Sequence, residues 1–266
     1  MGECLCRGSR FEFDCGPWSK DFTFVAADSQ WTDDTVMMIA VCEALLNAGI
    51  EAEPSLIRKE CICSMKKWGQ RYPDAGYGAR FIQWVLSDEV TPYSSLGNGS
   101  AMRVASVGWL YDSIERTREV ARATAEVSHN HPEGIKGAEC TAAVQFLGRT
   151  GHSKEEIKAY VVREFGYDVT PTVEELRPLH RHDETCMDTM PKALISFFDG
   201  TSYEDTVRNA VSLGGDADTI AAIAGAMAEC FYGIPGSMKE QCISVLPQDM
   251  LQVLDRFARV LGAEAQ

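Results

Sequence analysis

The sequence contains no apolar run that approaches the ~18 residues needed for a membrane-spanning helix. Alternating apolar and polar residues are nearly absent, and the best candidate strand is the short stretch over residues 22–26. The 266 residues also lack a low-complexity linker, a charge block and a tandem repeat. These absences argue against a membrane protein, a β-rich fold and a repeat architecture, and they predict one domain over residues 1–266.

Positive charge is scarce in this chain. It has 25 Lys and Arg residues against 39 Asp and Glu, which gives a formal net charge of −14. Nonspecific binding of nucleic acid depends on cationic groups that replace phosphate counterions, so this class of partner is not expected. An anionic small ligand is still compatible with the balance, because metal ions and helix N-termini can supply local positive charge.

The sequence has ten cysteines but no secretory signal. Two C-x-C pairs, at residues 4–6 and 61–63, differ from the C-x-x-C spacing of common zinc sites. Four other cysteines lie in apolar helical patterns, where a free thiol behaves as a small buried hydrophobe; these are Cys42, Cys140, Cys186 and Cys230. We therefore expect reduced cysteines and a cytoplasmic protein.

Almost every long segment has helical periodicity. The predicted helices cover residues 36–48, 54–68, 79–86, 100–111, 113–127, 134–147, 153–165, 187–198, 203–211, 219–232 and 248–261. Ser153 and Glu156 form a capping box, and Gly49, Gly148, Gly166 and Gly233 fall where helices should end. The pattern predicts an all-α fold.

Two acidic segments stand at the beginning of apolar helical runs. One is Thr32-Asp33-Asp34-Thr35, and the other is residues 213–219, with Asp216, Asp218 and Thr219 behind a Gly-Gly pair. Neighbouring carboxylates repel one another, so a fold that brings them together needs compensating positive charge. Hard divalent cations bind carboxylate, hydroxyl and water oxygens. Helix capping explains one such segment, but two of them favour a site for one or two metal ions.

Two further polar junctions separate predicted helices. Residues 97–103 form a glycine loop that runs into a helix and could present backbone N–H groups to a phosphate, although a plain turn is the better explanation of this loop taken alone. Residues 128–134 contain His129 and His131, for which metal ligation, ring stacking and a loop role are the alternatives. The H-x-H spacing without a nearby cysteine favours a role other than metal ligation.

Together these motifs resemble the ADP-ribosylglycohydrolase family, the enzymes related to dinitrogenase-reductase-activating glycohydrolase. The matching pieces are residues 32–37, 97–103, 128–138 and 214–224, and residues 72–78 and 184–200 resemble the smaller bacterial members. The match runs from about Gly8 to Pro235. The resemblance implies a compact, single-domain orthogonal helical bundle with the active site between loop-to-helix junctions.

The resemblance also implies a binuclear Mg²⁺ or Mn²⁺ centre with ADP-ribose lying over it. The implied metal ligands are Thr32, Asp33, Asp34, Asp216, Asp218 and Thr219. Glu12 resembles a mobile-loop glutamate that gates the metals in some relatives and helps to activate water. Candidates for proton transfer at the C1″ carbon are Glu12, Asp33, Asp34 and Asp216.

Other residues are implied to hold the rest of the ligand. Gly99, Ser100 and Met102 match the loop that wraps the diphosphate with backbone N–H groups, and His129 matches a position that lines the pocket. Asp74 is a further carboxylate for the pocket, with loop capping as its alternative. Trp18, Trp31 and Tyr77 are candidate aromatics for the pocket rim, although packing is the favoured role for each.

The implied activity is hydrolysis of the C1″ glycosidic bond of ADP-ribose attached to a protein side chain or to a small molecule. Arginine, serine, O-acetyl and nucleobase linkages are open, so nucleic acid enters only as an ADP-ribosylated acceptor. The alternative is a non-catalytic ADP-ribose-binding or structural protein, because the family fold also serves as a lens crystallin. We expect a monomer.

Overall fold

Helices form nearly all the regular structure of residues 19–24, 29–179 and 181–262, which the computed structural model describes. The helices are α1 (Asp33–Ala48), α2 (Pro54–Arg71), α3 (Ala79–Leu86), α4 (Gly99–Met102), α5 (Val107–Leu110), α6 (Ile114–Glu126), α7 (Pro132–Arg149), α8 (Lys154–Phe165), α9 (Val173–Leu176), α10 (Cys186–Asp199), α11 (Tyr203–Ser212), α12 (Ala217–Tyr232), α13 (Gly236–Ser244) and α14 (Gln248–Val260). A 3-10 turn follows α9, and an isolated antiparallel bridge joins Gly97 to Thr185. The predicted all-α class is confirmed.

Local signals set many helix ends. The Ser153 hydroxyl and the Glu156 carboxylate form the predicted capping box at the beginning of α8. Gly49, Gly166 and Gly233 are the C-cap residues of α1, α8 and α12, and all three have positive φ angles. These three ends agree with the prediction because a cap depends on only a few neighbouring residues. The predicted end at Gly148 is wrong, since this residue lies inside α7.

The predicted helix over residues 100–111 is wrong, since two short helices, α4 and α5, occupy it. Val104, Val107 and Arg103 are fully buried there, so the segment is enclosed on several sides. An enclosed segment can keep an apolar spacing of three or four residues without remaining one helix. Two helices were missed: α9 is a single turn, and α13 buries only Cys242 and so has no apolar face for the sequence to show.

Helices α7 and α12 form the centre of the core. Helix α12 packs against α10, α11 and α7, and α7 packs in turn against α4, α5, α6 and α8. Most residues of both helices are buried, as expected for helices that are apolar on all sides. None of the described helices combines the length and apolarity that a membrane crossing requires. Contacts of α12 with α1 and α4 bring the beginnings of these three helices together.

The cysteines predicted to be buried and unpaired are so in the structure: Cys42, Cys140, Cys186 and Cys230. The C-x-C pair in α2 is split between two environments, because Cys61 is buried and Cys63 is exposed. Burial raises the pKa of the Cys61 thiol to about 12, so this group stays protonated at neutral pH.

Gly137 allows α7 to pass close to α10. A Cβ atom at this position would lie 2.5 Å from Cys186 Sγ and 3.4 Å from Ala101 Cβ. Cys186 and Ala101 are almost fully buried, so neither can move into solvent to make room. Gly148, on the same helix, has no atom closer than 3.6 Å to the corresponding position.

We expect Gly137→Ala to lower the free energy of unfolding by about 1–3 kcal/mol, the usual cost of an overpacked core. The matched variant Gly148→Ala should leave it unchanged or raise it by up to about 1 kcal/mol, because alanine favours a helix over glycine. Urea denaturation followed by circular dichroism measures both. Equal stability of the two variants would show that α7 and α10 are not in tight contact at Gly137.

Candidate active site

A cavity of about 900 Å³ opens where α1, α4 and α12 begin. The predicted site residues on its wall are Asp33, Asp34, Gly99, Met102, His129, Asp216, Asp218 and Thr219. Residues from segments far apart in the sequence therefore meet in one cavity. Thr32 and Ser100 lie behind the wall with 1% and 0% of their surface exposed.

The two acidic segments meet at Asp34. The Thr219 hydroxyl donates a hydrogen bond to Asp34 Oδ2 over 3.2 Å, and the Thr32 hydroxyl donates to the same oxygen over 3.3 Å. Asp34 is 2% exposed and Thr219 is 4% exposed, so the contact between α1 and α12 is buried. The sequence expectation that the two segments face each other agrees with this contact.

Helix capping accounts for one of the acidic segments only. Thr32 is the N-cap of α1, and its hydroxyl accepts a hydrogen bond from the Asp34 backbone N–H. Asp216 occupies the N-cap position of α12, but its side chain caps no backbone N–H group. The Gly-Gly turn before it requires glycine, because Gly214 and Gly215 have φ angles of 66° and 69°.

The Asp216 carboxylate is instead held by Asn98. Asn98 Nδ2 donates to Asp216 Oδ2 over 2.5 Å and to Thr189 Oγ1 over 2.9 Å. Burial and the charge of Asp218 raise the pKa of Asp216 well above its ordinary value, while the hydrogen bond from Asn98 opposes the shift. Asn98 was missed as a site residue. Its place between two glycines, directly before a helix, was the available signal.

The donor atoms at the two junctions suit a hard cation. They are carboxylate and hydroxyl oxygens, with neither a thiolate nor an imidazole among the predicted ligands. A positive ion would also offset the effects of burial and of the Asp218 charge, which raise the Asp216 pKa. Within the described ranges, no three His, Cys, Asp or Glu side chains form a group that could hold a metal by themselves. Any ion here would therefore also draw on threonine hydroxyls or water.

The glycine loop before α4 is fixed on two sides. The Asn98 N–H donates to the Glu184 carbonyl over 2.8 Å, and the Ser100 hydroxyl donates to the Gly134 carbonyl over 2.7 Å. The Met102 N–H donates to the Asn98 carbonyl within the loop itself. Ser100 thus anchors the loop to α7, and its hydroxyl is turned away from the cavity. Glu184, which also lines the cavity, was not predicted.

His129 faces this loop with its Nε2 atom. A Cβ atom on Gly99 would lie 2.9 Å from His129 Nε2, so glycine allows the close approach. His129 is 5% exposed, and its Nδ1 atom lies 2.8 Å from Ser128 Oγ. Burial, with a smaller contribution from the charge of Arg103, lowers the His129 pKa well below its ordinary value. The imidazole is therefore neutral at physiological pH.

Aromatic side chains form the wall beyond His129. The His129 ring lies 6.4 Å from the ring of Phe81 and 6.1 Å from the ring of Tyr93. The Arg80 guanidinium lies 4.9 Å from the Tyr93 ring and donates to the Tyr93 carbonyl. Tyr77 was a candidate rim aromatic from the sequence and also lines the cavity, whereas Phe81 and Tyr93 were missed.

Other candidates lie off the wall. Asp74 is exposed and does not line the cavity. The Trp31 ring packs edge-on against Tyr72 at 5.0 Å, which is a packing role. His131 caps α7 by accepting a hydrogen bond from the Glu133 N–H, in agreement with a role other than metal ligation. Glu12 and Trp18 lie outside the described residues.

The sequence is similar to those of proteins named as ADP-ribosyl hydrolases. The sequence model of the family described as ADP-ribosylglycohydrolase matches residues 5–265. ADP-ribosylhydrolase ARH3 of Bos taurus is 26% identical, over 83% of this chain and 76% of that protein. ADP-ribosylarginine hydrolase Tri1 of Pseudomonas putida (strain GB-1) is 24% identical, over 82% of this chain and 62% of Tri1.

A solved structure has the same fold. It is described as an ADP-ribosylglycohydrolase-related protein complex and superposes with a TM-score of 0.71. The alignment covers 98% of this chain and 94% of that chain at 24% sequence identity. The family match over most of the sequence and the shared helical architecture agree. The chain belongs to the ADP-ribosylglycohydrolase family.

Proposed function

We propose that this protein hydrolyses the C1″ glycosidic bond that joins ADP-ribose to an acceptor, with a binuclear Mg²⁺ or Mn²⁺ centre at the two acidic junctions. One observation carries the proposal: the order of surfaces around the cavity. Carboxylates come first, then the Asn98–Gly99 loop with His129, then the aromatic wall. Ribose, diphosphate and adenine follow one another in the same order along ADP-ribose.

Adenine would lie against the aromatic wall. Tyr93 is partly exposed towards the cavity, and Phe81 lies next to the His129 ring. Aromatic side chains bind nucleobases by stacking, and a guanidinium such as that of Arg80 adds a cation–π contribution. Nothing in this wall requires a particular acceptor at the far end of the ligand, so it would serve every ADP-ribose conjugate.

The diphosphate would lie over the glycine loop. The backbone N–H groups of Gly99 and Ser100 make no hydrogen bond to any described residue, whereas the N–H groups of Ala101 and Met102 both donate to Asn98. Gly99 and Ser100 are therefore the donors that a phosphate oxygen could engage, and Met102 would contribute its side chain to the wall. The absence of a side chain at Gly99 keeps His129 within reach of the same phosphate.

The ribose would lie over the acids. Cleavage of the bond at C1″ develops oxocarbenium-like positive charge, which the carboxylates of Asp33, Asp34 and Asp216 would stabilise. These side chains are also the described candidates for moving a proton between water and the leaving group. When bound, the metal ions would orient the ribose hydroxyls and lower the pKa of an attacking water. Asn98 would keep the Asp216 carboxylate directed towards the cavity.

Release of free ADP-ribose from arginine-, serine- and O-acetyl-linked substrates, with Mg²⁺ and with excess EDTA, tests the function. Metal-dependent release from one substrate would establish the glycohydrolase and identify its leaving group. The name of the relative Tri1, ADP-ribosylarginine hydrolase, justifies including the arginine-linked substrate. Binding of ADP-ribose without release from any substrate would contradict the proposal and favour a non-catalytic ADP-ribose-binding protein.

We expect Asp218→Ala to abolish both metal binding and ADP-ribose release, because it removes a carboxylate that lines the cavity beside Asp216. Titration calorimetry with Mn²⁺ and the release assay measure the two losses, and circular dichroism checks that the helices remain. Asp255→Ala, which removes an exposed carboxylate from α14, is the matched control and should behave as the wild type. Full activity of Asp218→Ala in EDTA would refute the metal proposal.

We expect Tyr93→Ala to weaken ADP-ribose binding about tenfold or more, because stacking on an aromatic ring contributes about 1–3 kcal/mol per base. Affinity for ribose 5-phosphate, which has no base, should not change. Tyr93→Phe keeps the ring and should keep the affinity for ADP-ribose. If Tyr93→Ala weakened both ligands equally, the adenine would not lie on this wall.

A further inference from the structure

Arg103 is the largest fully buried side chain in the described part of the protein. Its Nη2 atom donates to the Thr124 carbonyl over 3.0 Å and to the Ser128 hydroxyl over 2.9 Å. Its Nε and Nη1 atoms have no hydrogen-bond partner among the described residues, and its guanidinium lies 5.8 Å from the Phe81 ring. Burying a cation without a counter-ion costs free energy, so stability alone does not explain why Arg103 lies here.

The Ser128 hydroxyl connects Arg103 to His129. A guanidinium can only donate hydrogen bonds, so Arg103 occupies an acceptor lone pair of Ser128 Oγ. Ser128 is 0% exposed, and its hydroxyl proton therefore needs an acceptor inside the protein. Among the described residues, the remaining partner of Ser128 Oγ is His129 Nδ1, at 2.8 Å. The bond is satisfied only if Nδ1 accepts the proton of the hydroxyl.

The tautomer of His129 follows from this requirement. A neutral imidazole that accepts at Nδ1 carries its proton on Nε2. The Nε2 atom points at the glycine loop, because Cβ atoms on Gly99 and Gly97 would lie 2.9 Å and 3.6 Å from it. The group directed at the loop is thus an N–H donor. The opposite tautomer would direct a lone pair there and repel a phosphate oxygen.

We propose that Arg103 and Ser128 are positioning residues that hold His129 as the neutral Nε2–H tautomer, so that it donates a hydrogen bond to a phosphate oxygen of the bound ligand. The identity of that ligand as ADP-ribose rests on the proposed function, whereas the tautomer does not. Burial and the charge of Arg103 keep the ring neutral, so the donor stays the same as pH changes through the physiological range. Burial lowers the Arg103 pKa to about 10, which leaves its guanidinium charged.

The first test is the nitrogen spectrum of His129 in protein labelled with ¹⁵N-histidine, where the two ring nitrogens differ according to which carries the proton. His129→Asn identifies the signals by their loss. We expect a protonated Nε2 and an unprotonated Nδ1, unchanged from about pH 5.5 to 8, the range over which an ordinary histidine titrates. A wild-type spectrum with the proton on Nδ1 of His129 would overturn the proposal.

The second test removes the Ser128 hydroxyl, which connects Arg103 to His129. Ser128→Ala should allow the Nδ1–H tautomer to appear and weaken ADP-ribose binding about tenfold, the order of one hydrogen bond. Ser196→Ala is the matched control, because Ser196 is also 0% exposed and its hydroxyl has no partner among the described residues. It should keep the wild-type spectrum and affinity. Unchanged tautomer and affinity in Ser128→Ala would overturn the proposal.

Inorganic pyrophosphate separates this inference from the proposed function. If Ser128→Ala bound pyrophosphate more weakly than the wild type, the positioning of His129 by Ser128 would be supported. This would hold even if the wild type bound no ADP-ribose, and only the proposed function would then fail. Absence of both ADP-ribose and pyrophosphate binding would overturn the phosphate contact together with the proposed function.

Discussion

The buried hydrogen bond from Thr219 to Asp34 joins the beginnings of α12 and α1, and the arrangement of the cavity depends on it. Both residues are nearly inaccessible to water, so breaking the bond would leave polar groups unpaired in the interior. Because the bond sets the two helix ends side by side, Asp33 and Asp218 line the same cavity. The partners are 185 positions apart in the sequence, so only the packing of α1 on α12 can bring them together.

Acidic and basic side chains lie at different parts of the cavity wall. The carboxylates lie where α1 and α12 begin, whereas Arg80 and Arg103 lie beside the aromatic rings of Tyr93 and Phe81. A ligand with an anionic diphosphate would be repelled by the acids and attracted to the loop between the two regions. In the acidic region, burial together with the charge of Asp218 raises the pKa of Asp216. A bound cation is the simplest source of the missing positive charge, which is why we propose one.

The site also requires its loops to pass close to neighbouring groups, which glycine allows. Gly99 leaves room for the His129 ring, and Gly215 has a left-handed φ angle and lies against the Arg181 carbonyl. A side chain at either position would separate the loops that line the cavity. Gly137 has the same effect in the core, where it lets α7 approach Cys186 at the beginning of α10. The cavity is therefore shaped as much by absent side chains as by the polar groups that line it.

Local sequence determined the all-α class, most helix ends and the two acidic junctions, because caps and apolar periodicity depend on residues within one or two turns. The break between α4 and α5 was not predictable, since Arg103 is held by atoms of α6 and of the segment that follows it. The bond between Asn98 and Asp216, and the position of Tyr93 beside His129, were likewise decided by the tertiary structure. Each joins segments that no local pattern relates, and only the packing of helices around α7 and α12 brings them within hydrogen-bonding or van der Waals distance.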